Sequence, residues 1–100
     1  MEPDKPDICI SDVVASTAGR DSGQLFYVIR TDGVYAELVN GRDRSLEKPK
    51  RKKLKHVRKV LRAETRVAVK IRSGDKVLNS ELRKDLAYIG QELSSHNQGG

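Results

Sequence analysis

The side chains that could do covalent or metal chemistry are few. Two histidines, His56 and His96, and one cysteine, Cys9, stand among 100 residues. His56 lies in a basic run and His96 in a polar tail, and neither has a partner at metal or triad spacing. One cysteine can build neither a zinc site of the usual spacing nor a disulfide within the chain. The nearest approach to a phosphate loop is Gly19-Arg20-Asp21-Ser22-Gly23. It lacks a Gly-Lys-Ser/Thr ending and leads into a predicted strand rather than a helix. The expectation is a chain that is not an enzyme and has no cofactor, no metal and no small-molecule substrate.

What the chain holds in quantity is fixed positive charge. Its net charge is +6, but residues 42–66 carry twelve Lys/Arg against Asp43, Glu47 and Glu64, net +9, while residues 1–41 are net −4. At the centre are Lys48, Lys50, Arg51, Lys52, Lys53 and Lys55, six cations in eight positions. Burying such a run without partners costs several kcal/mol per ion, so it must face water or a polyanion. Concentrated positive charge is the footprint of a nucleic-acid binder. These side chains would then contact phosphates, which position RNA without reading its sequence; the alternative is a solvated basic face. Arg42 and Arg44 follow a turn and extend the strip. Arg20, in the glycine loop, could grip a phosphate with its guanidinium or pair locally with Asp21. Gly19 and Gly23 read as backbone devices that permit positive φ. Tyr35 is either a base-stacking platform or a half-buried strand residue.

Several elements must position these groups. Residues 1–7 contain two prolines and alternating charges, and read as a frayed tail with no signal peptide. Residues 8–16 are β-branched-rich and read as a strand, with Cys9 expected as a buried, reduced thiol that favours a cytoplasmic setting. Residues 24–30 form the strongest strand, with Leu25, Tyr27 and Ile29 on one face and Phe26 and Val28 on the other. Asp32-Gly33 predicts a type I′ hairpin into a return strand, 34–39, and Asn40-Gly41 repeats the turn chemistry. Three strands joined by tight turns predict a small antiparallel sheet or barrel. Pro49 belongs in a loop or on an edge. Leu54 and Val57 would anchor the far end of the basic run. Residues 60–72 fit both a helical stripe and strand alternation. Leu82, Leu86, Ile89 and Leu93 form one helical stripe capped by Asn79 or Ser80, while 94–100 reads as a disordered tail. No apolar run approaches membrane-spanning length.

The stretch from Val13 to Val28, strand, glycine-bounded loop, strand, resembles the KOW motif of ribosomal and transcription-elongation proteins, with Gly23 matching the key glycine. The resemblance continues through Ser45-Leu46-Glu47-Lys48-Pro49-Lys50-Arg51-Lys52-Lys53-Leu54-Lys55-His56-Val57. The combination is similar to small bacterial KOW-domain RNA-binding proteins, related to the fourteenth large-subunit ribosomal protein of eukaryotes and archaea. It implies a mainly β fold with a C-terminal helix: an SH3-like small β-barrel over 8–58, with the basic segment at 42–59. An extension over 59–93 would end in a helix at about 80–93. It also implies binding of structured RNA, with ribosomal RNA of the large subunit as the expected partner and ribosomal proteins as further ones. The other class of reading is a protein-interaction adaptor, in which the basic run meets an acidic protein and Phe26 or Tyr35 carries affinity. A membrane anchor through the basic run lacks the adjoining apolar face.

Overall fold

The computed structural model describes residues 7–98. All but Asp7 of the expected N-terminal tail, and residues 99–100, lie outside the described residues. Five strands come first: β1 (Asp12–Ser16), β2 (Leu25–Thr31), β3 (Tyr35–Val39), β4 (Lys50–Lys53) and β5 (Val57–Arg62). Two helices follow, α1 (Arg66–Ser73) and α2 (Asn79–Gln98), and a 3-10 turn, Leu54–His56, joins β4 to β5. The protein is therefore mainly β with a C-terminal helix.

The sheet order is β4-β3-β2-β1-β5, and every pair is antiparallel. β4 and β5 are its two edges, yet a single turn connects them. In a flat sheet they would lie roughly 19 Å apart, well beyond the roughly 6 Å that three 3-10 residues rise. The sheet must curl until its edges approach. Hydrogen bonds at both ends of the turn mark that approach: Leu54 N–H donates to Val34 O at 2.8 Å, and Thr17 N–H to His56 O at 2.9 Å. Among the described residues the edges do not pair, so the sheet stays open. Two bulges assist the bend, where the register skips Ile29 in β2 and Val60 in β5.

Strand alternation sends side chains to two layers. Val14, Phe26, Val28, Ala36 and Leu38 pack with Ile8, Leu54 and Val57, so the far end of the basic run is anchored as expected. Val13, Tyr27 and Val39 face the other way, under Ala63, Val67 and Ala68 and under Leu82, Leu86 and Ile89 of α2. The stripe on α2 thus docks on the protein's own sheet. The Tyr27 hydroxyl donates to Asp85, and the Thr65 hydroxyl donates to the same carboxylate at 2.8 Å, tying sheet, α1 and α2 together. Burial first, and then the bond to Asp85, pushes the Tyr27 phenol well above its usual range.

Four local expectations need revision, and one open alternative is settled. Residues 8–16 are not one strand: Ser11 has φ 75°, and Cys9 N–H donates to Asp12 Oδ2 at 2.8 Å, a turn that delays β1 to Asp12. That turn leaves Cys9 exposed rather than buried. The β2–β3 hairpin forms, but only Gly33 has positive φ; Asp32 Oδ1 instead accepts from Val34 N–H and Tyr35 N–H at 2.9 and 2.8 Å. Asx bonding replaces the predicted type I′ geometry. Residues 60–72 split into the end of β5 and α1. Thr65 caps α1 by accepting from Ala68 N–H at 3.1 Å, and Gly74 ends it with φ 77°. Val69 is exposed, as the helical stripe requires and strand alternation does not. Lastly, α2 runs to Gln98 rather than ending near residue 93, because no glycine or proline interrupts residues 92–98.

Candidate nucleic-acid interface

The glycine loop between β1 and β2 is closed by its own backbone. Ser16 N–H donates to Gln24 O at 3.1 Å, Gly23 N–H to Ser16 O at 2.8 Å and Ser22 N–H to Gly19 O at 3.2 Å. Gly19 and Gly23 have φ of 87° and 91°, the role expected of them. The loop folds around the Asp21 carboxylate. Ser16 Oγ donates to Asp21 Oδ1 at 2.7 Å, Lys52 Nζ lies 3.0 Å from the same oxygen, and Lys50 Nζ lies 3.1 Å from Oδ2. Lys52 Nζ also donates to Ala18 O at 2.7 Å, and its side chain is only 9% exposed. Burial alone would raise the Asp21 pKa; the Ser16 bond and the Lys52 and Lys50 ammonium groups outweigh it and hold the carboxyl well below the usual range. Asp21 therefore pairs with β4, not with its neighbour Arg20. Arg20 is exposed and has no ion pair among the described residues.

The second wall is the loop between β3 and β4, residues 40–49. Asn40 organises it: Oδ1 accepts from Arg42 N–H at 2.9 Å and Arg44 N–H at 3.0 Å, while Nδ2 donates to Asp43 Oδ1 at 2.9 Å. Helix α2 clamps the loop. Leu46 N–H donates to Asn79 Oδ1 at 2.8 Å, Asn79 Nδ2 to Glu47 at 2.9 Å, and Arg83 to Gly41 O at 3.0 Å. Asn79, one of the two residues expected to cap the helix, thus serves as a tether. The approach is so close that a Cβ on Gly41 would meet Asn79 O at 2.1 Å, and Gly41 also has φ 75°. Only glycine fits there.

Between these walls run two adjoining clefts. One, of about 460 Å³, is lined by Gln24, Arg42, Asp43 and Arg83 over Leu25 and Leu86. The other, of about 310 Å³, is lined by Arg20, Asp21, Arg44 and Lys50 with Gln24, Phe26 and Asp43. Gln24 and Asp43 line both. The fold therefore brings Arg20 from the glycine loop to Arg44 and Lys50 of the basic segment, more than twenty residues away in sequence, with Arg42 on the adjoining cleft.

The rest of the basic segment divides by strand alternation. Lys50 and Lys52 lie opposite Leu38 and Ala36 and face the glycine loop; Arg51 and Lys53 lie opposite Glu37 and Tyr35 on the outer face. Arg51 sits 4.1 Å from the Tyr35 ring centroid and 3.8 Å from Asp32, so one face of the proposed stacking platform is already covered. Lys48, Lys53 and Lys55 are exposed and have no ion pair among the described residues. Sequence reasoning missed Arg83, Gln24 and Asp43 as cleft residues. Arg83 follows Leu82 of the α2 stripe, so it flanks the buried face; nothing in the sequence marks the other two.

Among the described residues no group of three or more His, Cys, Asp or Glu is placed to hold a metal ion, and no helix is long and apolar enough to cross a membrane. In comparison with known proteins, no family model matches the chain and no curated protein matches its sequence.

Proposed function

We propose that the chain is a non-enzymatic RNA-binding module of the KOW type, an SH3-like barrel that acts in the cytoplasm in association with ribosomal RNA of the large subunit. One observation carries the reading: Arg20 and Arg44 line one cleft and Arg42 the adjoining one without ion pairs among the described residues, and Lys48, Lys53 and Lys55 add exposed, unpaired charge on the same basic segment. Unpaired guanidinium and ammonium groups at this density suit phosphates, which they contact while releasing counterions. The barrel assignment draws on five antiparallel strands whose edges are joined by one 3-10 turn. The adaptor reading has less to work with, because Phe26 is fully buried and Arg51 covers one face of Tyr35.

The test is sedimentation of a cell lysate through a sucrose gradient at low and high salt. Co-migration with the large subunit, lost at high salt or after nuclease treatment, is the expected result. A partner retained after nuclease, with no RNA-containing fraction occupied, overturns the reading in favour of the adaptor.

A further inference from the structure

Two carboxylates line the basic clefts: Asp21 is tied to Lys50 and Lys52, whereas Asp43 accepts a side-chain hydrogen bond only from Asn40 among the described residues. Asp43 stands on the wall shared by both clefts, between Arg42 and Arg83 on one side and Arg20, Arg44 and Lys50 on the other. It is exposed and forms no ion pair among the described residues. The hydrogen bond from Asn40, then its own backbone N–H, with Arg44 and Arg42 nearby, holds its pKa below the ordinary carboxylate value, so it is ionised at neutral pH. Its negative charge disfavours direct contact with a phosphate oxygen. A group rich in N–H donors would be attracted.

Gln24, at the end of the glycine loop, lines both clefts together with Asp43; it is exposed and its side chain makes no hydrogen bond among the described residues. A carboxylate offers adjacent acceptors, and a carboxamide offers an N–H donor. Among the four RNA bases, only guanine presents two adjacent donors, N1–H and N2–H₂, next to an acceptor, O6. Adenine presents one donor beside an acceptor, cytosine one donor followed by two acceptors, and uracil places one donor between two acceptors.

We infer that the cleft is a guanine-reading site, in which Asp43 accepts from N1–H and N2–H₂ of one unpaired guanine, Gln24 donates to O6, and the flanking phosphates lie on the arginines to either side. Recognition of a splayed-out base on its Watson–Crick edge is the usual way single-stranded RNA is read. This assignment rests on the RNA-binding reading and adds sequence preference to it.

The test uses the full chain and labelled RNA hairpins of one stem, with one loop position varied among G, A, C and U. Guanine is expected to bind roughly tenfold more tightly than the other three, the discrimination typical of a bidentate base contact. Asp43→Asn is nearly isosteric and keeps an oxygen to accept from Asn40. It is expected to erase the preference while leaving binding to the A, C and U hairpins equal or tighter, because a repulsive charge is gone. Gln24→Leu changes an exposed side chain outside the core, and is expected to weaken guanine binding selectively; it carries the test should Asp43→Asn unfold. Equal binding of all four hairpins, with the usual salt dependence, overturns the guanine site and leaves the RNA reading standing. Equal tightening of all four by Asp43→Asn also overturns it. No salt-dependent binding to any hairpin overturns the RNA reading itself.

Discussion

The glycine loop and the arginine loop face each other across the cleft and are held by different physics. The glycine loop is held by charge: two lysines of β4 converge on the Asp21 carboxylate, which the Ser16 hydroxyl also binds. The arginine loop is held by packing and hydrogen bonds to α2, with Gly41 against Asn79 and the Leu46 N–H on the Asn79 side chain. The contrast explains which cations remain open. On the first wall Lys50 and Lys52 serve as ties, and only Arg20 is left unpaired. On the second wall a helix does the tying, and Arg42 and Arg44 form no ion pair among the described residues. The fold thus separates the basic segment into cations that build the site and cations that present it, and the adjacent pair Lys52 and Lys53 marks the divide.

The largest expected effect breaks the second wall. Gly41→Ala places a Cβ into the backbone of α2 at a positive φ, and should cost about 3 kcal/mol in a urea melt. Wild-type stability would contradict the close docking of α2. Next comes the divide within β4. Lys52→Ala leaves the Asp21 carboxylate short of a partner and should cost about 2 kcal/mol. Lys53→Ala, on the exposed outer face, should stay within about 0.5 kcal/mol of wild type. Equal losses would erase the distinction between building and presenting cations.

Acid sharpens the same comparison. The Asp21 pKa is depressed in the folded state, so its contribution to stability is present above the unfolded value of about 4 and is lost as pH falls below it. Urea melts taken from neutral pH into acid should show Asp21→Asn with a flatter acid limb than wild type. Gly41→Ala should keep most of the wild-type slope, because the buried Asp21 latch lies on the other wall. A modest effect of opposite sign lies in α2: a Cβ at Gly90 would meet Leu25 Cδ1 at an ordinary 3.7 Å. Gly90→Ala should therefore stabilise the fold by about 0.5–1 kcal/mol without moving either wall, read as a raised melting temperature.

Much of the sheet could be read from residues 24–39. Alternation of Leu25, Tyr27 and Ile29 against Phe26 and Val28 predicts a strand buried on both faces, and both faces are covered. The α2 stripe was legible for the same reason, a clear period. Residues 8–12 were not, because the turn there depends on one Asp12 side chain reaching back to Cys9 N–H and on a positive φ at Ser11, which composition does not encode. In the site, residue types pointed to the cations but not to their division. Lys50 and Lys52 look identical to Lys53 and Lys55 in sequence. What separates them is strand alternation at a sheet edge and a carboxylate about thirty residues away, both of which are tertiary facts.

The central claim is that the unpaired cations bind RNA through its phosphates. The most direct measurement is the salt dependence of binding to a structured ribosomal RNA fragment, for the wild type and for Arg42→Gln, Arg44→Gln and Lys53→Gln separately. With about six phosphates neutralised, affinity should fall roughly a thousandfold between 50 and 200 mM salt, and each substitution should reduce the slope of log K against log salt by about 0.7–0.9. A flat profile, or slopes that the three substitutions leave unchanged, would contradict the account.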